Sequence, residues 1–401
     1  MPATEDAAAR RPVAAGLRVA LVHDWLTGMR GGEKVLLSLA RLFPQATLHA
    51  LLHVKGSVAP EIEALPIRTS FVQRLPGVER RYRHYLPLFP AAVASFDLGG
   101  YDLVISSSHC VAKGARRRPG AVHVSYCFTP MRYVWDRYDD YFGPGRLGPL
   151  GRLLVPPVAE ALRAWDVASA SRVDHFVADS AYVAGRIRRY YGREADVILP
   201  PVDTAFFTPA PTGTDGSREP YDLIVSALAP YKRIELALEA YRGSGRRLLI
   251  VGSGPEAARL RALAPREAEF LGWVDDLRLR DLYRGCRAVV MPGVEDFGIV
   301  PMEALACGRP AVVFAEGGGA ETVSHAETGV VFHEPTPAAL RAALDSLDSM
   351  SLSTITLRAR AERHSREAFE ARFGAFVERA LSGAPAPASP EAEDSKGPPI
   401  S

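Results

Sequence analysis

Residues 287–307 read RAVVMPGVEDFGIVPMEALAC. An apolar, strand-like run, Ala288 to Met291, leads through a loop into a helix-like stretch, Val300 to Cys307. Strand, loop and helix in that order make the unit from which parallel sheets are built. Two carboxylates, Glu295 and Glu303, bracket the expected helix start. The first backbone N–H groups of a helix have no internal partner. The segment Phe297, Gly298, Ile299, Val300 can therefore offer bare donors and the positive end of the helix dipole to a phosphate. Gly298 carries no side chain to hold a ligand away from the backbone.

If the intervening residues are all helical, the two carboxylates lie about 12 Å apart along the axis. That span suits a sugar nucleotide. One carboxylate would accept hydrogen bonds from hexose hydroxyls and the other from ribose hydroxyls, with the diphosphate held at the helix start between them. For an isolated pair of glutamates at this spacing, two solvated surface residues would be the simpler account. The FGIVP between them favours the binding reading.

The rest of the chain is compatible with such a site. Its 401 residues suit two domains of ordinary size, and its 47% apolar and 23% charged residues describe a soluble globular protein with ample core. Lys plus Arg (48) nearly balance Asp plus Glu (46), which argues against a nucleic-acid partner. No uncharged apolar run approaches the ~20 residues of a membrane-spanning helix, and the N-terminus MPATEDAAARR lacks an apolar signal core. A cytoplasmic protein is expected. Cys110, Cys127, Cys286 and Cys307 show no C-x-x-C spacing, so the reading is reduced, mostly buried thiols rather than a zinc site or a disulfide framework.

Strand-like and helix-like runs alternate through most of the sequence, as in βαβ units. LRVALVH (17–23), ATLHALLH (46–53), YDLVISSS (101–108), AVHVSYC (121–127) and DHFVADS (174–180) form a first set. After a Pro-, Gly-, Thr- and Asp-rich stretch the pattern restarts with YDLIVSAL (221–228), RRLLIVG (246–252), AEFLGWV (268–274), RAVVMP (287–292), RPAVVFA (309–315) and GVVFH (329–333). The expected organisation is a disordered segment 1–16, a Rossmann-like acceptor domain 17–200, a linker 201–220 and a Rossmann-like donor-binding domain 221–381. The last helix, 353–381, is a candidate to cross back, and 382–401 is a disordered tail. Ligands of such sheets bind beyond the carboxyl ends of the strands.

Several of those loops carry candidate residues. HDWLTGMRGGEK (23–34) ends in Gly31-Gly32 before a helix, either a phosphate-facing turn or simply a tight one. SALAPYKR (226–233) puts Lys232 and Arg233 at a helix start, where cations oppose the dipole and a bound phosphate would explain them. VGSGPEA (251–257) formally fits the G-x-G-x-x-A dinucleotide pattern, with Asp275 about twenty residues on. It follows the second strand of its half rather than the first, so it reads as a turn lining the cleft. His109, after the SSS of a buried strand, can face the same cleft or be an ordinary structural histidine. FVQRLPGVERRYRHYLPLF (71–89) interleaves Arg74, Arg80, Arg81 and Arg83 with aromatic and apolar residues, which suits either an anionic membrane surface or a plain solvated face.

Together the segments VHDWLTGMRGGEKVL, YDLVISSSHCVAKGA, YCFTPMRYVWDRYDDY, SALAPYKRIELAL, VGSGPE, FLGWVDD, EDFGIVPMEALACGRPAV and GGGAETV resemble the retaining glycosyltransferases of family 4, the group 1 glycosyltransferases. Within the family they look like the mannosyltransferase-type enzymes of O-antigen and exopolysaccharide assembly. The resemblance implies an α/β GT-B fold, two Rossmann-like domains facing across a cleft. It also implies transfer of a hexose, mannose from GDP-mannose first among the options, to a saccharide or lipid-linked saccharide with retention assisted by the leaving phosphate. No metal or other cofactor is implied. Carried onto this chain, Glu295 would grip donor-sugar hydroxyls and Glu303 the ribose. Gly298, Ile299 and Val300 would cap the diphosphate through backbone amides. Lys232 would neutralise the departing diphosphate, with Arg233 beside it. Gly32 would approach the phosphate from the other domain, His109 would line the reaction centre, and Val274 would contact the base through its backbone.

Two positions depart from the family pattern: Ala227 stands where many members have an arginine, and Phe128 where many have a histidine. Arg132, nearby, can still face the cleft. The departures keep a non-catalytic, membrane-associated assembly partner of the same fold in view, and the VGSGPEA loop keeps a nicotinamide-dependent oxidoreductase in view.

Overall fold

The structure, a computed structural model, describes residues 13–143, 147–211 and 220–384. The first domain is a seven-stranded sheet made of β1 (Val19–His23), β2 (Thr47–Ala50), β3 (Ile67–Thr69), β4 (Leu103–Ser108), β5 (Val122–Cys127), β6 (His175–Ala178) and β7 (Ala195–Val197), in the order β3-β2-β1-β4-β5-β6-β7. The second is a six-stranded sheet made of β8 (Tyr221–Val225), β9 (Arg247–Val251), β10 (Ala268–Gly272), β11 (Cys286–Met291), β12 (Ala311–Phe314) and β13 (Gly329–Phe332), in the order β10-β9-β8-β11-β12-β13. Every strand pairing is parallel.

Helices cover both faces of each sheet, which is why the strands read as continuous apolar runs. Along β1, Val19 and Leu21 enter one hydrophobic cluster while Ala20 and Val22 enter another. Along β11, Val289 and Met291 face one side and Ala288 and Val290 the other. This is the two-residue period of a strand buried on both faces. The short edge strands β3 and β7 are not visible as apolar runs in the sequence, because each has three residues and only partial burial.

In both sheets the strand order reverses next to the first strand, between β1 and β4 and between β8 and β11. The crevices at these switch points receive the loops after β1, β4, β8 and β11. Those loops hold His23 to Lys34, His109, Lys232 and Glu295.

The helical pattern of 353–381 is two helices, Thr354–Glu362 and Arg366–Ser382. Ser365 ends the continuity by accepting a hydrogen bond from Ala368 N, 3.2 Å, as the cap of the second helix. His364 O accepts from Val202 N, 2.8 Å, tying the break to the interdomain connection. The second helix inserts Phe369, Phe373, Phe376 and Val377 into the core of the first domain, so the chain passes between the domains a second time.

The segment expected to be disordered, 1–16, needs correction at its end. Val13 and Ala14 pack on that same core, with Val13 Cγ2 lying 3.0 Å from where a side chain on Gly374 would begin, because the crossing helix offers them an apolar surface. Residues 1–12, the linker stretch 212–219 and the tail 385–401 lie outside the described residues. All four cysteines are buried and none forms a disulfide.

Candidate active site at the interdomain cleft

On the second-domain side, β8 runs into a 3-10 turn, Pro230–Lys232, followed by Arg233 in the left-handed region at φ 51°. This reversal brings Lys232 Nζ into an ion pair with Glu295 Oε1. The two loops touch backbone to backbone: a Cβ on Gly293 would lie 2.6 Å from Lys232 Cα. A second glycine-dependent contact supports the same loop from behind. Gly318 N donates to Glu295 O, 2.8 Å, and a Cβ on Gly318 would sit 2.0 Å from Asp296 O. The GGGAE segment after β12 is thus the bed on which EDFG lies.

Gly298, at φ 130°, caps the helix Ile299–Ala306. Ile299 and Val300 are half-buried at its first turn, while Phe297 is buried in the second-domain core, so its side chain anchors the loop. The helix begins at Ile299, and Glu295 lies outside it in an isolated bridge with Gly317. The fully helical spacing of the two glutamates therefore does not hold, because the Asp296–Gly298 turn intervenes. Glu303, on the helix, is 3% exposed. Its Oε2 accepts from Tyr283 Oη, 2.8 Å, and its Oε1 from Lys34 Nζ, 2.7 Å, a residue of the first domain.

On the first-domain side, the helix Gly31–Leu42 starts at the cleft, and a Cβ on Gly32 would lie 3.4 Å from the ring of Phe128. Asp24, fully buried, accepts hydrogen bonds from four successive backbone N–H groups, His109 and Cys110 on Oδ2 and Val111 and Ala112 on Oδ1, at 2.7–3.0 Å. His109 Nδ1 lies 3.2 Å from the same carboxylate, and its ring meets Trp25 edge-on at 4.5 Å. Burial pushes the imidazole below its ordinary pKa, outweighing the pull of Asp24, so His109 is neutral at neutral pH. His23 Nδ1 pairs with Ser107 Oγ at 2.7 Å, and its Nε2 lies 4.0 Å from Glu33. Burial works to raise the Glu33 carboxyl, but His23 and the backbone N–H of Glu33 itself hold it below its usual value, and Arg30 N also donates to Glu33 Oε2, 3.1 Å.

The domains meet through the middle of the motif. Asp296 pairs with Arg132 and, at 2.6 Å, with Arg186, which also holds Asp136 and, at 2.7 Å, Thr129. Ser180 Oγ donates to Asp296 O, 2.5 Å. Glu321 of the second domain accepts the N–H groups of Ala181 and Tyr182, 2.8 and 2.7 Å, at the start of the first-domain helix Ala181–Tyr191. Arg137 stacks over Tyr231 at 4.5 Å.

Lys232, Glu295, Gly298, Ile299 and Val300 are thus brought together, and Glu303 lies farther along the same helix, paired with Lys34 of the first domain. Arg233 is turned elsewhere: its guanidinium lies 4.8 Å over the Phe314 ring, because the left-handed residue reverses the side-chain direction relative to Lys232. Val274 packs partly against the second core beside Trp273, which is 78% exposed. The glycines of VGSGPEA are accounted for by packing, since a Cβ on Gly252 would lie 1.9 Å from Ser226 O and one on Gly254 2.4 Å from Leu228 O.

Asp24, Lys34, Arg186, Asp296 and Glu321 were not singled out from the sequence. Lys34 and Asp296 sit inside the quoted motifs, but their partners lie in the other domain, and no spacing announces that pairing. Asp24 follows a buried strand, the one local signal that could have marked it.

Family models match both halves of the chain: Glycosyltransferase Family 4 over residues 29–206 and Glycosyl transferases group 1 over 214–367. The chain is 30% identical over 347 residues to the D-inositol 3-phosphate glycosyltransferase of Acidothermus cellulolyticus, covering 76% of this chain and 70% of that one. It is 33% identical over 157 residues to the D-rhamnosyltransferase WbpZ of Pseudomonas aeruginosa, 37% of this chain and 41% of the relative. Among solved structures, sucrose-phosphate synthase from Thermosynechococcus elongatus superposes with a TM-score of 0.69 at 18% identity, over 92% of this chain and 100% of that one. Anabaena HepE in complex with UDP and glucose superposes with a TM-score of 0.66 at 16% identity, over 90% and 99%. These likenesses place the two-domain architecture among the GT-B folds.

Proposed function

Because the chain belongs to the group 1 glycosyltransferases of family 4, we propose that it moves a hexose from a nucleotide-sugar donor to a saccharide or lipid-linked saccharide in polysaccharide assembly, with mannose from GDP-mannose as the first donor to test. The observation that carries this reading is the meeting of Lys232 and Glu295 at the start of the helix Ile299–Ala306, opposite the Gly31–Leu42 helix of the other domain. A carboxylate for sugar hydroxyls, an ammonium for phosphate and free first-turn amides lie together there. Without donor, the carboxylate and the ammonium neutralise each other. With donor, each turns to its own part of the ligand. Lys232 then stabilises charge on the leaving diphosphate, and Glu295 orients the sugar. His109, neutral and held by Asp24, presents an uncharged ring near the reaction centre. No metal or other cofactor is assigned a role.

A thermal-shift screen of sugar nucleotides tests the reading. A ligand at a hundredfold excess over its Kd adds about 2.7 kcal/mol to the stability of the folded state. One sugar nucleotide should raise the melting temperature by several degrees and also be turned over. Binding without hydrolysis or transfer to any acceptor would instead favour the non-catalytic partner, and a shift with NAD alone the oxidoreductase.

A peripheral contact with an anionic membrane is supported by two exposed features of the first domain. Arg74, Arg80, Arg81 and Arg83 are exposed, and none forms an ion pair among the described residues. Leu150, Leu153 and Leu154 stand 68%, 71% and 51% exposed on the helix Pro149–Ala170, which packs into the same core cluster as the basic segment. No helix among the described residues is long and apolar enough to cross a membrane. Basic residues at such a surface contribute about 1 kcal/mol each. Replacing the four arginines by glutamine is expected to cut sedimentation with phosphatidylglycerol vesicles at least tenfold, and unchanged sedimentation removes the idea.

A further inference from the structure

Glu303 is buried, and both of its oxygens are engaged. Tyr283 holds Oε2 from within the second domain, and Lys34 reaches Oε1 from the first. A buried carboxylate with one oxygen left unmatched is costly, so whatever displaces Lys34 must itself donate hydrogen bonds. Ribose hydroxyls are such donors. The ammonium they release has a destination close by. Glu303 lies four residues beyond Ile299, so the first-turn amides that would receive phosphate are about 6 Å away along the helix axis. Lys34 stands on a flexible four-carbon stem, its side chain is 34% exposed, and its helix begins with Gly31-Gly32 at the same cleft.

Two other cations of the cleft are committed, and a third, Arg233, is turned away from Lys232 with its Nη1 buried and without a hydrogen-bond partner among the described residues. Arg132 and Arg186 hold Asp296, whose loop they fix between the domains, and Arg233 lies on Phe314. Ala227 contributes no charge. A diphosphate would therefore meet Lys232, and Lys34 is the cation set free beside it when ribose takes Glu303 Oε1.

We propose that Lys34 is the second diphosphate-binding cation, resting on Glu303 when no donor is present and passing to the phosphates when the ribose takes over that carboxylate. The proposal rests on the reading of Glu303 as the ribose-binding residue. Nearby Glu303 holds the Lys34 ammonium above its ordinary pKa, against the effect of burial, so the group stays charged in the resting position. The exchange has a thermodynamic signature. A nucleoside alone has to break the Lys34–Glu303 contact with nothing to offer the ammonium, whereas a nucleoside diphosphate offers it phosphate. Phosphates thus favour binding twice, by their own contacts and by rehousing the displaced lysine.

Titration calorimetry on the full chain with guanosine, GDP, uridine and UDP tests this on wild type, Lys34→Gln and Lys34→Arg. Glutamine keeps a hydrogen bond to Glu303, so the variant should fold, and an unchanged melting temperature verifies it. Expected for Lys34→Gln is a tenfold or greater loss of affinity for the preferred nucleoside diphosphate, with equal or tighter binding of the matching nucleoside. Lys34→Arg should retain the wild-type preference for the diphosphate. Equal losses for nucleoside and diphosphate would show Lys34 to be only an interdomain tie and overturn the proposal, as would unchanged diphosphate affinity. If wild type binds none of the four probes, the donor-site reading fails first, and the proposal with it.

Discussion

Glu295→Ala is expected to lower kcat/KM for sugar transfer by about a thousandfold, on the order of 4 kcal/mol of transition-state stabilisation, while leaving the melting temperature within about two degrees of wild type. The separation of activity from stability follows from how the loop is built. Its conformation is set by the backbone, through the Gly318 N to Glu295 O hydrogen bond and the close approach of the GGGAE segment, and by the Asp296 ion pairs. The Glu295 side chain takes part in none of these. Among the described residues it pairs with Lys232 alone, and it is partly exposed, as a group that grips a ligand must be. Lys232→Ala should lose activity on the same scale. Because the two side chains touch, the double variant should lose less than the product of the single effects. Steady-state rates with the donor found by the thermal-shift screen, set beside melting curves, decide the matter. A single variant with wild-type rates would remove Lys232 and Glu295 from the catalytic centre.

Asp24→Ala should instead act on the fold. Four buried backbone N–H groups lose their acceptor together, each unmet donor costing on the order of 1–3 kcal/mol, with partial rescue by rearrangement. A net loss of about 4 kcal/mol is expected, read as a fall of roughly 10 °C in the melting temperature for a domain of this size. The loop that carries His109 would lose its anchor as well, so residual activity should fall further than at any comparably buried position outside the cleft. A shift below about 2 °C would mean that the 109–112 turn holds itself without the carboxylate.

Much of this protein was legible one segment at a time. The strand runs of 17–23 and 221–228 could be read as β1 and β8 because a strand buried on both faces is apolar throughout, and burial of that kind is a local property of the sequence. Lys232, Glu295 and Gly298 could be read because a loop between a strand and a helix start is itself a local device, and its chemistry resides in residues close together in the chain. Extrapolation failed where geometry had to be assumed. Glu295 and Glu303 do not share a helix, since the positive φ of Gly298 delays the start to Ile299, and Arg233 points away from Lys232 for a similar reason.

The sequence by itself therefore determined the two α/β domains, the family and the loop ends that form the cleft. Only the tertiary structure decided that Lys34 rests on Glu303, that Arg132 and Arg186 clasp Asp296, and that Asp24 gathers the His109 turn. Each of these pairs joins residues between 85 and 269 positions apart. Charged side chains on separate loops carry no periodicity and no shared spacing, so their partners are fixed only when the two sheets and the crossing helix Arg366–Ser382 bring the loops face to face.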